Sequence, residues 1–410
     1  MRIAMLHPSL TLRGGAERQL LILAIELERM GHEVEIFTCA INDNCYPELT
    51  RQLTINRVKT PDTGSFQNIN QKRTLSSRLA GRFKGYTSDL PSMIALGKKI
   101  PKGFDVINNQ NSPTQWAAFF AKRKLDAPIV WNCNEPPFYY SDPKQRRGLG
   151  KINLPLYEGF DKIAVDYIDS IVSVSLVDSR RIEKAYGRSS KIVRPGVTTE
   201  LLLKASGKEL RIKYGLENSF VLLQVGNIAR DKRQCDSLIA LHYLSKKHDN
   251  VRLILVGQGP RDELMALSRK LGVDKKVLFL QNCSDEELAQ VYAACDAFVF
   301  PAQITWGLVV IEAMVASKPV LVSREAGSSE IIQEGQNGFV IEEPYTKNMA
   351  AKIEKLITDP DLRRRIGNNA YEYTKENLSW EIYAKNMETV FEKTIANFRK
   401  SKLRQFSFIS

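Results

Sequence analysis

Short apolar runs at strand length alternate with stretches of helical periodicity, and that alternation predicts parallel α/β layers. Arg2–His7 reads as a strand, followed by a turn through Gly14 and Gly15. Beyond it Ala16, Leu20, Leu23, Leu27 and Met30 recur on one helical face, and Gly31 takes the place of a helix-ending glycine. Glu33–Cys39 alternates like the next strand. Further strands are expected at Asp105–Asn108, Pro128–Cys133, Ile171–Ser175 and Lys191–Arg194.

The series then restarts. Phe220–Gly226, Arg252–Gly257, Lys276–Leu280, Ala297–Pro301 and Pro319–Ser323 read as strands, separated by helical stretches at Gln234–Ser245, Arg261–Leu271, Ser284–Ala294 and Leu308–Ser317. Pro195-Gly196-Val197 and a polar helical stretch to about Asn218 form the expected connection. From Thr346 the chain reads as helical, with an apolar stripe of Trp380, Tyr383, Met387, Val390 and Phe391, and a basic end, Phe398–Arg404, expected to fray. The fold class expected is therefore α/β: two doubly wound domains, 1–196 and 197–378, and a C-terminal helix, 379–410, packing back on the first. Ligands bind such sheets at the strands' carboxyl ends, and two facing edges would make a cleft.

Composition narrows the partners. The 410 residues are 43% hydrophobic and 26% charged, which excludes wholesale disorder. Of the net charge of +13, residues 51–150 supply +11, so the surplus asks for an anionic partner in one block of the first domain. No zinc-finger spacing or RNP-type string is present, so nucleic acid is not the expected partner. The six cysteines are scattered without a CxxC, and only four histidines occur, which argues for reduced thiols and against a zinc site. No signal-peptide pattern and no spanning apolar stretch is found, so a cytoplasmic location is expected.

Three segments carry candidate chemistry. Arg13-Gly14-Gly15-Ala16-Glu17 places glycines at a strand-to-helix turn, where backbone N–H groups can approach an anion or merely form a tight turn. Gly226 to Arg233 sets Arg230, Lys232 and Arg233 at the mouth of the second sheet, as a diphosphate cradle or a solvated basic loop. Pro301 to Met314 leads through Gly307 into an apolar helix containing Glu312; a carboxylate among apolar neighbours needs a partner, either a ribose diol or backbone groups. No P-loop and no complete dinucleotide fingerprint is present.

These segments, with Pro195–Val197, Ser284–Ala302, Lys318–Ser323, Ala326–Ile332 and Asn337–Ile341, resemble glycosyltransferase family 4 over nearly the whole chain. The likeness implies the GT-B fold and retaining transfer from a nucleotide diphosphate sugar, with the donor in the second domain and the acceptor in the first. It implies a phosphate-binding role for Lys232 and a ribose-binding role for Glu312. Backbone contacts at Thr305, Trp306, Gly307, Leu308 and Val309 follow, with Gly14 and Gly15 approaching the phosphates. No metal or other cofactor is implied. The opening, Leu6-His7-Pro8 to Arg18 with Asn44-Cys45, also resembles mannosyltransferases that extend lipid-linked oligosaccharides.

Three positions depart from the family pattern. Ile304 stands where a glutamate opens the E-x7-E motif, Asn227 where an arginine precedes the lysine, and Asn134, which the likeness sets with Lys232 and Glu312 among the candidate catalytic residues that meet substrate, where a histidine is common. Arg230 is the expected replacement cation. The departures leave two readings, an active enzyme with altered donor contacts or a non-catalytic subunit that binds a nucleotide sugar or a partner glycosyltransferase. A sugar-nucleotide epimerase is a third, disfavoured by the loss of the histidine. Around Leu75, Leu79 and Phe83, the cations Arg73, Arg78, Arg82 and Lys84 edge an apolar stripe, either a core-facing helix with a solvated basic rim or one suited to an anionic membrane surface; the second reading suggests a lipid-linked acceptor and peripheral attachment.

Overall fold

The computed structural model describes residues 1–60, 89–122, 124–134, 154–303, 306–343 and 345–407. Two compact units result: Met1–Pro195 with Trp380–Ser410, and Gly196–Ser379.

The first unit is built on a seven-stranded sheet in which every pairing is parallel, in the order β3-β2-β1-β4-β5-β6-β7. The strands are β1 (Arg2–His7), β2 (Glu33–Thr38), β3 (Thr54–Arg57), β4 (Val106–Gln110), β5 (Ile129–Asn132), β6 (Ser170–Ser173) and β7 (Lys191–Ile192). The second unit repeats the principle with six strands, β8 (Phe220–Val225), β9 (Val251–Val256), β10 (Val277–Leu280), β11 (Ala297–Phe300), β12 (Val320–Ser323) and β13 (Phe339–Ile341). Their order is β10-β9-β8-β11-β12-β13, again all parallel. The winding direction reverses between β1 and β4 in one sheet and between β8 and β11 in the other. At such a reversal the loops leaving the two central strands diverge to opposite faces and open a crevice at the carboxyl ends. The segments singled out in the sequence follow β1, β8 and β11.

Strand alternation divides the first core into two layers. Ile3 and Met5 of β1 face one side, Ala4 and Leu6 the other, and all four are fully buried. On the first side lie Leu20, Leu23 and Leu27 of the helix Gly15–Arg29, together with Tyr383, Met387 and Phe391 of the helix Trp380–Ser407. Burying each such side chain stabilises the fold by about 1.5–3 kcal/mol. The chain's last helix is thus part of the first unit's core.

Some local expectations need correction. The basic end does not fray: the helix continues to Ser407, Lys402 pairs with Asp126, and Arg399 lies 3.8 Å from Asp105. The Phe398 ring lies under Lys122 at 4.3 Å. Apolar periodicity cannot register a helix end held by charges from elsewhere in the chain. The stretch after Val197 is two short helices, Glu200–Lys204 and Lys208–Lys213. Strands β3 and β13 and the helices Thr114–Lys122 and Leu154–Asp166 were not foreseen. Among the described residues no helix is long and apolar enough to cross a membrane.

Candidate functional site

In the second unit, β8 is buried along its whole length and delivers its carboxyl end into a loop packed backbone to backbone. A Cβ on Gly257 would stand 2.0 Å from the Gly226 carbonyl oxygen, so only glycine allows this approach. The Ile228 N–H donates to the Gln258 carbonyl at 2.7 Å. The 3-10 turn Arg230–Lys232 follows, and the Lys232 carbonyl accepts a 2.8 Å hydrogen bond from Gln224 Nε2. Gln224 is itself held by the Ser237 hydroxyl at 2.7 Å. The backbone of Lys232 is therefore pinned from inside the sheet while its ammonium group lies 3.6 Å from Asp231 Oδ2.

The three cations of this loop do not act alike. Arg233, at φ 53°, donates to Asp236 at 2.5 Å and stacks on the Tyr345 ring at 4.1 Å, so it is committed to the unit's own structure. Arg230 and Asn227 are exposed. Lys232 and Arg230 remain as the candidate cations for an anionic ligand.

The loop after β11 reaches the same place. Gln303 N–H donates to the Asp231 carbonyl at 2.9 Å, joining the two segments that the sequence offered separately. Gln303's own side chain is exposed, and Ile304 and Thr305 lie outside the described residues. Trp306 is buried, and Gly307 takes φ 65° to start the helix Leu308–Val315, whose first turn contains Val309. A Cβ at Gly307 would meet the Phe300 ring at 2.9 Å.

Glu312 is half-buried one turn into that helix. Its Oε2 accepts a 2.8 Å hydrogen bond from the hydroxyl of Tyr292, which is fully buried and also 3.3 Å from the Val309 carbonyl. Burial, and then the charge of Glu312, push the Tyr292 pKa well above its ordinary 10, so the hydroxyl keeps its proton and can donate. The partner that a carboxylate in this setting requires is thus in part a tyrosine from the preceding helix, Asp285–Ala294. Sequence reasoning missed Tyr292. The available signal was a lone hydroxyl inside an apolar helical stretch, since buried tyrosines need a partner.

In the first unit Gly14 is the N-cap of the helix Gly15–Arg29. A Cβ there would stand 2.4 Å from Glu17 Oε2, and the Tyr46 hydroxyl donates to the Gly14 carbonyl at 3.2 Å. Burial raises the Glu17 pKa. Asn134, just beyond β5, donates through Nδ2 to Gln19 Oε1 at 3.0 Å and to Asn111 Oδ1 at 2.8 Å. Asn111 reaches back to His7 at the end of β1. Gln19, Asn111 and His7 were not foreseen as site residues, although the run of amides Asn108, Asn109 and Gln110, all buried, leading into the half-buried Asn111 should have signalled a network, because buried amides must be paired. Gly14, Gly15 and Asn134 belong to the first unit, and Asn227, Arg230, Lys232, Trp306 to Val309 and Glu312 to the second. Arg73, Arg78, Arg82 and Lys84 lie outside the described residues.

Comparison with known proteins agrees with this organisation. The family model described as Glycosyltransferase Family 4 matches residues 13–201, and that described as Glycosyl transferases group 1 matches residues 207–373. A D-inositol 3-phosphate glycosyltransferase of Rhodococcus erythropolis is 25% identical over 94% of this chain and 88% of its own length. Spore coat protein SA of Bacillus subtilis is 25% identical over 73% of this chain and 81% of its own. Among solved structures, Anabaena Alr3699/HepE in complex with UDP superposes with a TM-score of 0.73 at 20% identity, covering 96% of this chain and all of that one. Its complex with UDP-glucose gives a TM-score of 0.70.

Proposed function

From the premise that this chain belongs to glycosyltransferase family 4 and carries the GT-B fold, we propose that it is a retaining hexosyltransferase using a nucleotide diphosphate sugar. The observation that carries this reading is the joined pair of segments in the second unit. The pinned Lys232 lies in a turn tied by the Gln303–Asp231 hydrogen bond to the loop that leads into the helix of the Tyr292-bound Glu312.

Lys232, with Arg230, neutralises the diphosphate and stabilises the charge that develops on it as the sugar leaves. The helix Leu308–Val315 presents its first N–H groups to the same anion. Glu312 accepts from the ribose hydroxyls. No nucleophilic side chain is assigned, so the acceptor hydroxyl attacks the anomeric carbon from the face the phosphate leaves. The new C–O bond forms as the sugar–phosphate bond breaks, and the hydroxyl proton passes to the departing phosphate oxygen. Cations and helix dipole carry the charge that a divalent ion carries elsewhere, so the transfer proceeds without metal. HepE binds UDP and UDP-glucose, which makes uridine donors the first to test. The excess of +11 in residues 51–150 supports a lipid-linked acceptor met at an anionic membrane surface on the cytoplasmic side.

The test is transfer by the full chain from UDP-, GDP- and ADP-hexoses in the presence of chelator, with polyprenyl-phosphate-linked acceptors in anionic vesicles. Retention of the anomeric configuration with at least one donor is expected; no transfer or donor hydrolysis with any of them would refute the reading. One observation favours the alternative of a non-catalytic subunit. Asn134, an amide that neither takes nor gives a proton, stands where the family commonly has histidine. A large gain of activity from near zero in Asn134→His would decide for that alternative.

A further inference from the structure

Where β1, β4 and β5 end, the first unit holds a run of neutral hydrogen bonds with a defined direction. His7 is 4% exposed, and burial lowers its pKa to about 4, so its ring is neutral near pH 7. A neutral imidazole has one N–H. Nδ1 lies 2.8 Å from the Ser9 carbonyl oxygen, which can only accept, so the proton sits on Nδ1 and Nε2 offers its lone pair. Asn111 Nδ2 lies 3.2 Å from Nε2 and must be the donor. That choice turns Asn111 Oδ1 toward Asn134, whose NH2 group donates to it at 2.8 Å.

The second hydrogen of the Asn134 NH2 group goes to Gln19 Oε1 at 3.0 Å. Gln19 is held in that orientation by its Nε2, 2.6 Å from the buried Tyr383 hydroxyl. Asn111 itself sits at φ 60°, a left-handed conformation that costs energy and tends to persist where geometry serves a site. Both donors of Asn134 are therefore consumed inside the protein, and among the described residues no donor meets its Oδ1.

We propose that His7 is a positioning residue that fixes the polarity of Asn134 through Asn111, so that Asn134 offers an acceptor-only oxygen to a sugar hydroxyl and disfavours an anionic group there. The proposal rests on the reading of Asn134 as a substrate-contacting residue. An oxygen of this kind takes a hydroxyl proton and repels a carboxylate, whereas a reversed relay would present N–H and reverse that preference. A neutral hexose is then the sugar class accepted, and a hexuronate the class refused.

The experiment compares the full-length wild type with His7→Phe, His7→Gln, Asn134→Ala and the double variant His7→Phe/Asn134→Ala. The donor is held constant, and the acceptors are polyprenyl-phosphate-linked sugars ending in glucose or in glucuronate. Phenylalanine removes the acceptor while keeping the ring; glutamine restores an acceptor oxygen at a similar reach. His7→Phe is expected to lower kcat/KM for the neutral sugar about tenfold and to narrow the glucose-to-glucuronate ratio. His7→Gln should recover most of both, and in the Asn134→Ala background His7→Phe should add no more than about twofold. A full tenfold cost in that background would show a merely structural histidine and overturn the proposal. A second readout needs no turnover: the side-chain NH2 resonances of Asn134 should move in His7→Phe and return in His7→Gln. Unmoved resonances would overturn the relay, whereas a wild type that transfers no sugar would instead refute the glycosyltransfer reading.

Discussion

The two units solve the same topological problem with opposite chemistry. In the second unit the segments that follow the strand reversal carry charges, Lys232 in a turn and Glu312 in a helix, fixed by backbone contacts and by a tyrosine hydroxyl. In the first, the corresponding place is lined by neutral side chains, His7, Gln19, Asn111 and Asn134, which hold one another. Charge suits a ligand that is itself charged, such as a diphosphate. A neutral network suits hydroxyl groups, because its direction, and not its field, selects what binds. The difference also shows in what holds each place together: close backbone packing in one, side-chain amides in the other.

The largest effect should come from breaking the backbone packing. Gly257→Ala would place a methyl group 2.0 Å from the Gly226 carbonyl and should destabilise the second unit by about 3 kcal/mol in denaturant unfolding. Gly14→Ala should cost less than about 1 kcal/mol, since the atom in its way is the movable end of Glu17. Equal costs would erase the contrast between the units.

Acid should strike the neutral network next. The His7 pKa is lowered from 6.5 to about 4 on folding, so between those values the unfolded chain binds more protons than the native one. Stability from this group is complete above 6.5 and is lost as the pH falls toward 4, by roughly 3 kcal/mol. Urea unfolding of the wild type across that window should show the slope, and His7→Gln should flatten it.

Removing the cation of the charged site should have a somewhat smaller effect. Lys232→Ala should weaken binding of a nucleoside diphosphate by about 2 kcal/mol, near thirtyfold, as read by calorimetry. Binding of the nucleoside alone should be unchanged. The smallest effect belongs to Tyr292→Phe. It removes one donor to Glu312 and should raise the donor KM about fivefold with kcat unchanged, a difference near 1 kcal/mol. A 2′-deoxy nucleotide sugar should be less sensitive to the change, because it keeps only one of the two hydroxyls that Glu312 would accept from.

What was legible in the sequence follows from distance along the chain. The helix Gly15–Arg29 and the stripe Trp380 to Phe391 could be read because periodicity is local and these faces are deeply buried. That the sheets are parallel was legible from alternation alone, whereas the four-residue β3, whose burial pattern is only partial, gave too short a signal. Contacts between distant residues were not legible. Arg233 looked like a third ligand cation until Asp236 and Tyr345 claimed it. Tyr292 lies twenty positions before Glu312, and His7 is more than a hundred before Asn111. Pairing across such separations depends on strand order, which no local pattern carries.

The central claim is that the second unit holds a nucleoside diphosphate through Lys232 and the ribose through Glu312. Titration calorimetry of the full chain with UDP, GDP and ADP tests it most directly, run beside Lys232→Ala and Glu312→Gln. One of the three should bind the wild type, and both variants should weaken that binding tenfold or more. If none binds, or if both variants bind as the wild type does, the account is wrong.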